Sequence, residues 1–232
     1  MEEERALVLF GGVVNSRKDR QGSAAWLRGL TAELDEAYGE RRIAPFGFTQ
    51  GDELQGLLAP EADPMDAILR AALAPEARPV RWVAVKGCVD PGEGPATQRS
   101  GQAFLVARKA IEEARSSHER LVLMTGRADV DALLNDMTPA LVELLDTLTT
   151  RQRSVARLAL IEGLRQSDVA DRLGVRRATI SVSFGRAGVP SVGRLVAAIR
   201  RVYSSAAAAS SQPPAPTQAP ASPGDTRGGV DP

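Results

Sequence analysis

The 232-residue chain holds one cysteine and one histidine, and aromatic residues make up only 4% of it. A lone Cys88 forms no disulfide within the chain, which excludes a stapled secreted scaffold, and four-cysteine zinc sites are excluded with it. A His-rich metal centre or a Ser/His hydrolase would rest on His118 alone, and its polar surroundings, Ser117 and Glu119, read as helix-end surface. Sparse aromatics give little support to recognition of single-stranded nucleic acid by base stacking. No apolar run approaches the roughly 20 residues of a membrane span. The start Met1-Glu2-Glu3-Glu4-Arg5 lacks the basic stretch of a signal peptide, so cytoplasm is the expected compartment. No glycine loop is followed by Lys-Ser or Lys-Thr, so a P-loop is absent.

What is present is unevenly distributed. The formal net charge is zero, yet residues 150–204 hold eleven arginines against three acids, a local +8, while residues 1–149 carry −7 and the remainder −1. A basic segment joined to an acidic one points to a polyanion partner for the former only. Residues 205–232 are Ala/Ser/Pro/Gln/Gly-rich, with no apolar side chain larger than Val230, and are expected to be a disordered tail.

Periodicity orders the rest. Residues 6–14 form an apolar run broken by Gly11-Gly12, expected as a central strand ending in a glycine-rich turn. Trp26, Leu27, Leu30, Leu34, Ala37 and Tyr38 recur at helical steps, and Gly39 ends that helix. Residues 43–49 and 54–58 flank Gln50-Gly51-Asp52-Glu53, a hairpin with carboxylates at its tip. Pro64 opens a short helix carrying Ile68, Leu69 and Leu73. A strand over 79–89 follows, with Cys88 a small core side chain near its end. Then come a helix on Phe104, Ala107, Ile111 and Ala114 and a strand over 121–124. The order β-α-β-β-α-β-α-β predicts an α+β chain whose N-terminal part is a ferredoxin-like α/β sandwich. From Ala128 onward the apolar residues repeat with helical periods only, so the C-terminal part is all α. The expected division is 1–127, 128–204 and the tail 205–232.

The most specific pattern lies within residues 166–184. Small Ala170 lets two helices cross closely, Gly174 permits the positive φ of a tight turn, and Val169, Leu173, Val175 and Ile180 are the expected core beneath. The segment resembles the helix-turn-helix of phage repressors, sigma factors and response-regulator DNA-binding domains. That resemblance implies that Ser167 caps the first helix and that residues 177–184 form the recognition helix. Arg176, Arg177, Thr179, Ser181 and Ser183 then lie on or near its exposed side, with Gln166 placed to bind phosphate. Ser183 stands where such motifs carry an aliphatic residue, with Phe184 beside it. After the break at Gly188-Val189-Pro190, Val192, Leu195, Val196, Ile199 and Val202 form a last amphipathic helix, expected to cover the motif.

The α/β part is similar to the SatD family. The likeness is carried by Leu9-Phe10-Gly11-Gly12-Val13-Val14-Asn15-Ser16-Arg17-Lys18, by Gly51-Asp52-Glu53-Leu54-Gln55-Gly56-Leu57-Leu58, and by Ser100-Gly101-Gln102-Ala103-Phe104 opening the next helix. The same layout resembles a nucleotidyl-cyclase palm, in which a carboxylate after the first strand and another at the hairpin tip hold divalent metal against a triphosphate. Here Gly12 occupies the position of the first acid. The resemblance therefore implies a catalytically silent domain, with no metal or cofactor, that retains a nucleotide or small-molecule pocket beside Gly11, Asn15, Arg17, Asp52 and Gln55.

Together these readings predict a DNA-binding transcriptional regulator that is not an enzyme, acting on double-stranded DNA as a homodimer. The alternatives are a metal-dependent, cyclase-like nucleotide enzyme, and a helix-turn-helix that contacts protein.

Overall fold

The computed structural model describes residues 4–49 and 52–209. Gln50 and Gly51 of the expected turn, and 210–232 of the expected tail, lie outside the described residues. Five strands form one sheet in the order β2-β3-β1-β4-β5: β1 (Glu4–Val13), β2 (Arg42–Thr49), β3 (Glu53–Leu58), β4 (Val80–Val89) and β5 (Leu121–Met124). β1 pairs antiparallel with both β3 and β4, β2 pairs antiparallel with β3, and β4 runs parallel to β5. The first four strands have the split arrangement of a ferredoxin-like sandwich, with β5 added at the β4 edge.

Alternation along β1 sends its residues to opposite faces, which is why one apolar run serves two cores. Ala6, Val8 and Phe10 meet Val83 and Val85 under α3 (Gln102–Ser117), through its Phe104, Ala107 and Ile111. Leu7, Leu9 and Val13 face the other way. There they meet Leu27, Leu30 and Leu34 of α1 (Arg20–Tyr38) and Met65, Ile68 and Leu69 of α2 (Pro64–Ala72). Asp19 caps α1 by accepting from Gly22 N, and Gly39, at φ 51°, ends it.

Gly11-Gly12 lie inside β1, paired with Trp82 and Arg81, and do not form the expected turn. A Cβ on Gly11 would stand 2.6 Å from the Trp82 ring, so at that position glycine makes room for an indole. Cys88, expected as a small core side chain, is half-buried near the end of β4.

The expected all-α part, 128–204, holds helices only, the last of which runs past it: α4 (Ala128–Asp146), α5 (Thr150–Leu160), α6 (Gln166–Arg172), α7 (Arg177–Arg186) and α8 (Val189–Ala209). The expected tail start at Ser205 is corrected by α8, which continues to Ala209. The 127/128 join carries continuous packing. Leu134, Leu141 and Leu145 of α4 and Val192, Val196, Ile199 and Tyr203 of α8 belong to the same apolar cluster as α1, α2 and the sheet. α8 thus covers the main core more than the helix-turn-helix it was expected to cover.

Both tyrosines sit at this seam. The Tyr38 hydroxyl donates to Asp63 O at 2.7 Å and accepts from Ala67 N at 3.2 Å. Tyr203 is buried beneath Lys86, whose Nζ lies 4.2 Å from the ring centre. Burial, helped by the Asp66 carboxylate, pushes the Tyr38 phenol far above its ordinary value, and burial with Asp63 does the same to Tyr203. A phenol raised in this way keeps its proton in the folded chain while the unfolded chain loses it. Its contribution to stability is full below the ordinary value near pH 10 and is lost as pH rises beyond it. In an alkaline titration, phenolate absorbance should therefore appear in one cooperative step together with loss of helical circular dichroism. Phenolate appearing before the helix signal changes would contradict this burial.

Candidate nucleic-acid interface

α5, α6 and α7 share a small core of their own: Val155 and Leu158, Val169 and Ala170, and Ile180. A reciprocal cap starts α5, with Thr149 Oγ1 accepting from Gln152 N at 3.3 Å and Thr149 N donating to Gln152 Oε1 at 2.8 Å. Gly174 joins α6 to α7 at φ 63°, with nothing within 4 Å of where a Cβ would stand. The backbone angle alone, without crowding, calls for glycine there. Val175 N returns to Ala170 O at 3.0 Å and closes the turn.

Two expectations about this motif are corrected. Arg165 holds the cap position of α6, its backbone N donating to Asp168 Oδ2 at 3.3 Å, while Ser167 lies within the helix and donates to Asp168 Oδ1. Leu173 is 38% exposed and does not fill the core. Val175 is half-buried against that core.

α7, the helix expected to be the recognition helix, begins at Arg177 as predicted and runs on to Arg186, two residues past the expected end at Phe184. Phe184 bridges the small core and the main one, supplying the apolar contact that Ser183 lacks. Arg176, at the cap position of α7, is exposed, as are Arg177, Thr179 and Ser181; Ser183 and Gln166 are half-buried. With Ile180 facing inward, a 3.6-residue repeat puts Ala178, Val182 and Gly185 on the outermost line of α7. All three are exposed, Val182 at 54%. These residues and Arg186 were missing from the sequence-derived set. The helical repeat counted outward from Ile180 was the signal that could have found them.

A groove of about 640 Å³ separates the start of α5 from α7, bordered by Arg151 and Gln152 on one side and Thr179, Val182 and Arg186 on the other. The arginines of this half divide by role. Arg157 pairs with Glu33 and donates to Arg70 O, and Arg200 pairs with Asp63 at 2.5 Å, so both tie the helices to the acidic α/β part. Arg172 pairs with Glu162 at 3.5 Å. Arg151, Arg176, Arg177 and Arg186 are exposed and have no ion-pair partner among the described residues.

The second candidate site is a joint. Asn15 adopts φ 58° at the end of β1, and the buried Ser16 donates its hydroxyl to Asp52 Oδ2 at 2.8 Å, while Val13 N donates to Asp52 O at 2.9 Å. The strand end and the hairpin tip do converge, through a serine that the sequence-derived site omitted. Arg17 is exposed. Gln55 is buried and donates to Glu53 Oε1 at 3.1 Å. Among the described residues, no three His, Cys, Asp or Glu side chains gather as metal ligands, and no helix is long and apolar enough to cross a membrane.

No protein-family model and no curated protein matches the chain. Among solved structures, two of a bacterial light-regulated adenylyl cyclase are similar at 14% identity, with TM-scores of 0.37 and 0.38. Each alignment covers 53% of this chain and 43% of the cyclase chain, so the chain spans less than half the length of those proteins. A regulator of polyketide synthase expression from Bifidobacterium adolescentis is similar at 15% identity and a TM-score of 0.31, over 87% of this chain and 82% of that one. Scores this low carry no argument about function.

Ile180, which is core as expected, and Leu173, which is not, generate a paired prediction. Ile180→Ala removes a buried side chain from a five-residue core and should destabilise by about 2–4 kcal/mol, whereas Leu173→Ser should change stability by no more than about 1 kcal/mol. Urea unfolding monitored by circular dichroism separates them; equal losses would return Leu173 to the core.

Proposed function

We propose that the chain is a transcriptional regulator whose α6–α7 helix-turn-helix binds duplex DNA, with α7 in the major groove. The observation that carries this reading is the exposed, unpaired arginine set Arg151, Arg176, Arg177 and Arg186 around a recognition helix whose outer line is sterically small. Short outward side chains let a helix approach the groove closely, its first residues meet base edges, and cationic groups at its flanks hold phosphate. Arg177 is the guanine reader in this reading, and Ser181 the adaptable partner. Val182, an exposed valine on the groove-facing line, suits the methyl group of thymine. Gln166 and Arg176 hold backbone phosphate, and Thr179 faces the groove toward α5. A single module buries little surface, so two copies on paired half-sites form the working unit.

The α/β part is read as a SatD-like, catalytically silent domain. Gly12 supplies no carboxylate, and Asp52 and Glu53 are engaged by Ser16 and Gln55. These contacts favour a structural joint over a metal-binding pair.

Fluorescence anisotropy with selected duplexes across a salt series tests the reading. Arg177→Ala should weaken specific binding by about 1–3 kcal/mol and relax the preference at one base pair. Arg151→Ala should weaken all sequences alike and lower the salt slope by about 1. Val182→Ser should lose discrimination for thymine over uracil at one position. Undetectable or salt-independent binding would refute DNA recognition and favour a protein partner.

A further inference from the structure

Arg153, in the second turn of α5, stands apart from the other arginines of the helical half. It is half-buried, its Nε has no access to solvent, and its side chain makes no hydrogen bond or ion pair with any described residue. A guanidinium held in this way without a counter-charge is destabilising unless something anionic meets it.

Its surroundings are hollow. Two cavities meet at Arg78 and Arg153. The outer one, about 800 Å³ and open to solvent, is bordered by Trp26, Glu76 and Thr150. The inner one, about 50 Å³, is walled by Ala72, Trp82, Leu121 and Leu145. Arg78 is matched by Asp19 at 2.7 Å, and Arg120, at the inner wall, by Asp146 at 3.0 Å. Arg153 is the one guanidinium of these walls with no ion-pair partner among the described residues, and Glu76, on the outer rim, offsets its charge overall and opposes a dianion more than a monoanion.

We infer that this cleft is a binding site for a small organic monoanion, a carboxylate with a flat apolar body, whose head meets Arg153 and whose body lies against Trp26 and Trp82. A lone unpartnered guanidinium opposed by Glu76 suits a monoanionic carboxylate over a dianionic phosphate, and the indole walls suit a flat apolar body over a polar one. The site is separate from the β1 end and from the α7 surface. It lies on the helix whose Val155 and Leu158 support the recognition helix, and it is independent of the DNA reading.

The chain has two tryptophans, and each borders one of the two cavities, so the intact protein reports on the site without labels. Titrated with benzoate in the absence of DNA, tryptophan emission should change saturably, while inorganic phosphate should produce no saturable change below the same concentration. Arg153→Gln should weaken benzoate binding at least tenfold, the loss expected for a charged hydrogen bond, with no fall in the thermal midpoint. Ala72→Leu, which fills the inner pocket and leaves every charge in place, should weaken it as well and serves if the arginine variant fails to fold. No saturable change with benzoate, or undiminished binding in whichever of these variants folds, would overturn the inference. Saturation by phosphate at equal affinity would do the same, reducing the site to a simple anion contact.

Discussion

The arrangement of the whole chain depends on how α4 closes the exposed edge of β5. A parallel edge strand presents unpaired amides and carbonyls, and a sheet that ends this way needs a cover. α4 provides one with side chains. Asn135 accepts from Leu123 N and donates to Leu123 O, both at 2.9 Å, Thr138 donates to Leu121 O at 2.9 Å, and Asp131 accepts from Thr125 N at 2.6 Å. Three polar residues on one helix face thus imitate a sixth strand and fix the direction of α4. Every later helix is placed from there, because α8 packs along α4 and α5 follows it through a short turn.

Charge then holds what packing places. The excess of arginine in the helical half and of acid in the α/β half looks in sequence like a single electrostatic polarity. In three dimensions it splits into two populations. Arg157 and Arg200 face inward onto Glu33 and Asp63, at partly buried contacts where screening is weaker than at the surface. Their removal would loosen the two halves from each other. Of the outward arginines, Arg172 pairs with Glu162, while Arg151, Arg176, Arg177 and Arg186 have no ion-pair partner among the described residues. The +8 read from the sequence therefore overstates the charge this half leaves open at its surface.

Legibility followed locality. The order of elements could be read because each strand and helix carries its own period, and Gly174 because a tight turn needs one residue at positive φ. The motif start at Arg177 followed from that glycine. What could not be read depended on distant partners. Gly11-Gly12 look like a turn until Trp82, far along the chain, is seen to occupy the space above Gly11. Ser167 is a plausible cap by type, but Arg165 takes the position because Asp168 turns back to its amide. Leu173 looks like core by hydrophobicity, yet the turn carries it outward. Asn135 and Thr138 carry no signal at all in a helix read by its apolar repeat, since their partners are backbone atoms of β5. The cleft at Arg153 was invisible for the same reason: its walls come from α1, α2, β4, α4 and α5 together.

The small core of α5–α7 has a consequence for motion. Five buried residues, two of them from the helix that also faces the main body, are too few to hold three helices against the entropy of ordering them. The unit persists because Phe184 and α5 bind it to the larger core. Opening of α6 and α7, with α4, α8 and the sheet still folded, is therefore the expected first excursion of the helical half. A unit built this way is firm at the α5 side, where Arg157 is anchored, and yielding at Gly174 and Leu173, where few contacts oppose a change in the angle between the two helices. Amide exchange should follow that gradient, fastest across α6, slower in α7 and slowest in α4. Equal protection of α6 and α4 would mean that the two cores unfold as one.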